Sequence, residues 1–78
     1  MNPYKNITPE NYFTLSQDEQ LLCDVHELLD KGQTLTQILE YKQIAYLEQF
    51  KGEASPKQLK QECDKFWIPF YNKAITQR

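Results

Sequence analysis

The sequence predicts an all-α fold, a small three-helix bundle with a short extra helical turn at its N-terminus and a C-terminal helix kinked at Pro69. Three observations predict it. Helix-start residues recur ahead of segments with helical apolar spacing, two isolated glycines fall where such segments end, and Leu, Gln, Glu and Lys are common while β-branched residues are sparse. Straight-chain side chains lose little rotamer freedom in a helix, so this mix favours one. The 78 residues are 40% hydrophobic and 26% charged. That is a globular composition and a single domain over 1–78, near the lower size limit for a core without disulfides or metals.

The elements follow in order. Residues 1–7 read as an irregular arm, because Pro3 and the asparagines favour turns. Thr8 then caps a short helix over 9–14, with Pro9 at the first helical position, where its missing N–H costs nothing. Ile7 and Tyr12 occupy the two positions of a hydrophobic staple around that cap. Ser16 and Glu19 have the spacing of a capping box and open a helix over 17–31, with Leu21, Leu22, Val25, Leu28 and Leu29 on its apolar face. Gly32 ends it. Thr34 and Gln37 repeat the box for a helix over 35–51, which stops at Gly52. Ser55, Pro56 and Gln58 open a third main helix over 56–75. Within it Pro69 removes a backbone hydrogen bond, so the helix either kinks there or ends near Trp67 and resumes. Short connections at both glycines make neighbouring helices antiparallel or steeply crossed.

The helical faces carry more apolar surface than one small core needs. On the third main helix Leu59, Cys63, Phe66, Phe70 and Ala74 form the expected core stripe, and Trp67, Tyr71 and Ile75 form a second row beside it. That second row is either covered by the arm, through Tyr4, Ile7, Tyr12 and Phe13, or left as an aromatic anchor for another protein. The second helix turns Leu35, Ile38, Leu39, Ala45, Tyr46 and Phe50 inward, while Tyr41, Ile44 and Leu47 point elsewhere. A helix apolar nearly all round reads as the central one. Tyr41 and Ile44 then meet the N-terminal turn, a partner or a second copy of the chain.

Charge is unevenly spread although the net is only −2. Asp18, Glu19, Asp24, Glu27 and Asp30 make the first main helix acidic, and Lys57, Lys60, Lys65, Lys73 and Arg78 make the last one basic. The two are expected to attract along their edges. Asp24, Glu27 and Asp30 also form an acidic face suited to a basic partner.

Catalytic and metal chemistries are not indicated. His26 is the only histidine, one turn from Cys23, and both fall at the polar edge of their helix, which reads as a surface histidine. Cys23 and His26 supply two metal ligands where a structural zinc site needs four. Two isolated glycines cannot form a phosphate-binding loop. The reading is therefore no catalytic residue, no metal and no cofactor, with Cys63 filling a core gap. No signal-peptide pattern occurs, and no apolar run approaches the ~20 residues of a membrane span. With two well-separated cysteines, the expectation is a cytoplasmic protein with reduced thiols.

The segment Leu28 to Ile38 loosely resembles a helix-turn-helix, with Gly32 in the turn, Thr34 as a cap and Ile38 six residues past the glycine. It departs from the motif at Gln33, where an apolar residue is usual. The helix that would read bases is nearly neutral, offers Thr36, Gln37 and Tyr41 but no Arg, and follows an acidic helix that phosphates would repel. Direct nucleic-acid binding by the Thr34–Lys51 helix is the second reading. The first is a protein-binding regulator, adaptor or inhibitor that uses Trp67, Tyr71 and Ile75, then Tyr41 and Ile44.

Overall fold

The computed structural model describes residues 2–78, so Met1 of the expected arm lies outside the described residues. The helices are α1 (Pro9–Tyr12), α2 (Gln17–Asp30), α3 (Leu35–Gln49) and α4 (Pro56–Gln77). The all-α bundle is therefore the fold. Helix starts lie where the caps place them, because capping bonds are local. The side-chain oxygens of Thr8, Ser16, Thr34 and Ser55 accept from the backbone N–H three residues on. Thr34 and Gln37 complete a reciprocal box, with the Gln37 Oε1 accepting from the Thr34 N–H at 2.9 Å. At Ser16 the box is half formed. The Glu19 carboxylate takes the Ser16 hydroxyl at 3.2 Å instead of the backbone N–H.

Three helix ends come sooner than the spacing predicts, at Tyr12, Asp30 and Gln49. The last helix runs two residues further, to Gln77. After α2, the N–H of Gly32 donates to the Leu29 carbonyl at 2.9 Å and that of Gln33 to the Leu28 carbonyl at 3.2 Å. This is the Schellman arrangement, which needs a left-handed residue, and Gly32 sits at φ +83°. Gly52 (φ +86°) turns the chain again, in a turn closed by the Glu53 N–H on the Phe50 carbonyl at 3.1 Å.

α4 is the central helix, correcting the expectation that α3 would be. Both α2 and α3 dock on α4 far more than on each other. α3 runs antiparallel to it: Gln43 Nε2 donates to Asp64 Oδ1 at 2.7 Å, and the Tyr46 hydroxyl to Glu62 Oε2 at 3.3 Å. α2 runs parallel to it at its C-terminal end, where His26 meets Gln77 and Asp30 meets Arg78. The bundle is consequently elongated, 39 × 24 × 18 Å. Pro69 does not divide α4, which passes through it as one helix. Pro69 is exposed, and so is Lys65, whose carbonyl loses its helical partner; packing of Trp67, Phe70, Tyr71 and Ala74 on the core holds the segment on either side.

The core centres on Leu22, Val25 and Ala74, with Tyr4, Leu29, Trp67, Phe70 and Tyr71 packed around them. Ile38, Leu59 and Cys63 are buried as well. Each fully buried Leu, Val or Ile contributes about 1.5–3 kcal/mol relative to exposure, so this short roster is what holds the bundle together.

Candidate interaction surfaces

One end of the molecule is sealed. Cys23 and His26, expected at a polar edge, are buried, with His26 fully so. The reason is the arm, which lies along that flank of α2. The Tyr4 ring stands 5.6 Å from the imidazole, the Tyr12 hydroxyl donates to Asp24 Oδ1 at 3.4 Å, and Asn2 Nδ2 donates to Asp30 Oδ2 at 2.7 Å. From α4, Gln77 Oε1 lies 2.8 Å from His26 Nε2. An amide oxygen there accepts from Nε2, and Nδ1 is buried without a partner. Burial pushes the Cys23 thiol up, reinforced by Asp24 and Glu27. It pushes the Cys63 thiol up too, with Asp64 adding to the effect. Both environments favour the neutral thiol over the thiolate.

The other end is open. Between α3 and the first half of α4 runs a groove of about 350 Å³, lined by Lys42, Ala45, Tyr46, Gln49, Phe50, Phe66 and Trp67. Its aromatic lining comes in two sets, one on each helix. The Phe66 ring meets those of Trp67 and Phe70 at 5.2 and 5.3 Å between centroids, and Tyr46 meets Phe50 at 4.6 Å. These separations suit tilted and edge-to-face packing. Lys42 Nζ stands 4.3 Å from the Trp67 ring centroid, capping one end of the wall by a cation–π contact. Phe66, assigned to the core by its spacing, is 49% exposed. The α3 residues lining the groove with it include Ala45 and Gln49, too small and too polar to close over a phenyl ring. That pairing of a large residue with Ala and Gln is the signal that could have placed Phe66 outside the core.

The outer face of α3 is a second open surface. Ile44 (72%) and Tyr41 (58%) are the exposed apolar residues there. Ile44 also borders a hollow of about 510 Å³ with Leu47, Ala54, Pro56 and Leu59, rimmed by Glu48 and Lys51.

The structure divides the residues singled out from the sequence. Trp67 and Tyr71 are half-buried and pack on the core, while Ile75 on the same row is exposed. Of the four arm residues offered as a cover, Tyr4 packs on the core but Phe13 is exposed. The acidic trio is not a free face. Asp24 accepts from Tyr12, and Asp30 accepts from Asn2 and, at 2.6 Å, from Arg78, leaving Glu27 exposed beside them. The expected attraction between the acidic and basic helices is thus realised in the single ion pair Asp30–Arg78 among the described residues. In the helix-turn-helix segment, Thr36, Gln37 and Tyr41 are exposed on α3, but α2 and α3 are braced by α4 instead of by each other. Among the described residues no three His, Cys, Asp or Glu side chains gather as a metal site, and no helix is long and apolar enough to cross a membrane.

Comparison with protein-family models, with curated proteins and with solved structures found no match for the chain.

Proposed function

We propose that the chain is a small protein-binding regulator, adaptor or inhibitor that docks a partner on its α3–α4 groove. The supporting observation is the aromatic wall of Phe66, Trp67, Tyr46 and Phe50, half open to solvent on a bundle too small to cover it. Trp and Tyr dominate the binding energy of protein interfaces because they bury much surface at little entropic cost. Trp67 and Phe66 are the anchor residues in this reading. Ile75 extends the row along α4, and Tyr41 and Ile44 belong to a separate face.

The test is affinity capture from the native cell with the wild-type chain and with Phe66→Ser, followed by titration of any captured protein against the purified chain. Trp67 is the only tryptophan, so its emission reports the groove directly. The expected result is a partner retained by wild type, lost with Phe66→Ser, and shifting Trp67 fluorescence on binding. A partner that leaves Trp67 emission unchanged and is indifferent to Phe66→Ser overturns the groove as the site. Salt-sensitive, micromolar or tighter binding to duplex DNA in an anisotropy titration would give precedence to the α3 base-reading alternative.

A further inference from the structure

We infer that His26 is a proton-operated latch on the N-terminal arm: when it takes up a proton in mild acid, residues 2–7 come away from α2 while the helices stay packed. The latch lies at the sealed end and stands apart from the groove proposal. Its imidazole is 0% exposed. Nε2 meets Gln77 Oε1 at 2.8 Å, and Nδ1 is buried with no partner among the described residues. The neutral ring suits this place, because its single N–H needs a single acceptor. The imidazolium does not. Both nitrogens then donate, and the second N–H has neither an acceptor nor access to water, which is costly for a charged group.

The groups around the ring show which cover gives way. From the arm comes the Tyr4 ring, 5.6 Å away, its phenol kept neutral by burial. On α2, Cys23 lies one turn before His26 and is buried, Asp30 lies one turn after it, and Glu27, next in sequence, is exposed. From α4, Gln77 supplies the one acceptor, Arg78 holds Asp30 at 2.6 Å, and Lys73, one turn before Gln77, is exposed. Asp30 is the carboxylate that interacts with the imidazole, but it is exposed and already accepts from Asn2 and Arg78, and it makes no hydrogen bond to Nδ1. Parting α2 from α4 to hydrate the ring would open the Leu22, Val25 and Ala74 cluster. Lifting the arm gives up only the Tyr4 packing, the long Tyr12–Asp24 bond if the strain spreads, and the 2.7 Å bond from Asn2 to Asp30. The arm is therefore the lighter cover. Its opening takes up a proton, so the closed form loses ground as the pH falls.

His26 is the only histidine, so proton NMR of the purified chain from about pH 7.5 to 5 follows its protonation without overlap. Asp30, held below the usual carboxylate range, keeps its charge over that span. The through-space cross-peak between the Tyr4 and His26 rings reports the arm, and the Ile38 signals report the buried face of α3. The expected result is reversible loss of the cross-peak in step with protonation of the ring, with Ile38 unchanged. The ratio of open to closed arm should rise by up to about tenfold per pH unit. His26→Gln carries an amide that cannot be protonated in this range, and its arm should stay closed down to pH ~5. Should that variant not fold, the wild-type titration decides alone. A ring that protonates with the Tyr4 contact intact overturns the proposal, as does one that stays neutral with the arm closed throughout. Loss of the Ile38 signals together with the cross-peak overturns it too, because the whole bundle then opens. So does an arm that is released equally in His26→Gln, which would assign the response to another group.

Discussion

The two ends of α4 are treated differently by the rest of the chain. Its C-terminal half, Trp67 to Gln77, is packed by α2 and the arm, and there the polar groups find partners: His26 with Gln77, Asp30 with Arg78 and Asn2. Its N-terminal half faces α3, and two α3–α4 hollows, the Ile44 hollow and the aromatic groove that reaches Trp67, open on that side. The C-terminal half also carries more of the apolar side chains, Trp67, Ile68, Phe70, Tyr71, Ala74 and Ile75 against Leu59, Cys63 and Phe66, so composition and coverage act together. A bundle of this length has enough helix to enclose one end of its spine and not the other. The uncovered end is the one proposed above to meet a partner, and the covered end holds the Leu22, Val25 and Ala74 cluster.

The sharpest way to break that comparison is to truncate one large side chain at each end. Leu22→Ala at the sealed end should destabilise by about 2–5 kcal/mol, the range for opening a cavity in a closed core. In a domain this small that approaches the whole folding free energy. Phe66→Ala should cost about 1 kcal/mol or less, since half of the ring is already wet and the site can refill with water. Urea denaturation at neutral pH measures both. Equal losses would mean that the open end is as closely packed as the sealed one, and the groove would lose its claim to be spare surface.

Pro69 lies between the two ends, and its removal asks whether they are joined rigidly. It is exposed and lacks the N–H that would bond the Lys65 carbonyl. Alanine restores that bond and adds helix propensity. Pro69→Ala should therefore stabilise the bundle by about 1–3 kcal/mol, read as a higher urea midpoint with an unchanged slope. A destabilised Pro69→Ala would instead indicate that the packing on either side depends on the geometry proline imposes, and that the ends are coupled through it.

What the sequence made legible, and what it hid, divides along the range of the interactions involved. Every helix start was readable because a cap bonds within three residues, as at Thr34 and Gln37, and Gly32 marked the end of α2 for the same reason. Coverage was not. Periodicity gives a residue's angular position on its helix but not which neighbour lies over it. His26 looked like a surface residue because its partner Gln77 is 51 positions away and its other cover, Tyr4, lies in an arm without periodicity. Phe66 looked buried for the mirror reason: its angle is right, but the groove it lines stays open, leaving it 49% exposed. Tyr41 and Ile44 were readable as outward-facing, because an excess of apolar residues on every side of one helix must leave some exposed.

The smallest expected effect concerns how the sealed end is closed. Asp30 is held below the usual carboxylate range first by the hydrogen bond from Asn2 and then by that from Arg78. A carboxyl lowered on folding stabilises the fold above its ordinary value and loses that contribution as the pH falls through the folded value. The pair is solvent-accessible, so screening keeps its contribution small, and added salt should reduce it further. Arg78→Gln should move the Asp30 titration, followed by carbon-detected NMR, upward towards ordinary aspartate, while Asn2 keeps it from getting there. The urea midpoint at neutral pH should shift little, and less still at high salt. If Arg78→Gln instead destabilised the chain as severely as Leu22→Ala, the sealed end would owe its closure to an electrostatic clasp between the arm, α2 and α4. The contrast between the two ends would then rest on charge at their tips, with apolar coverage following from it.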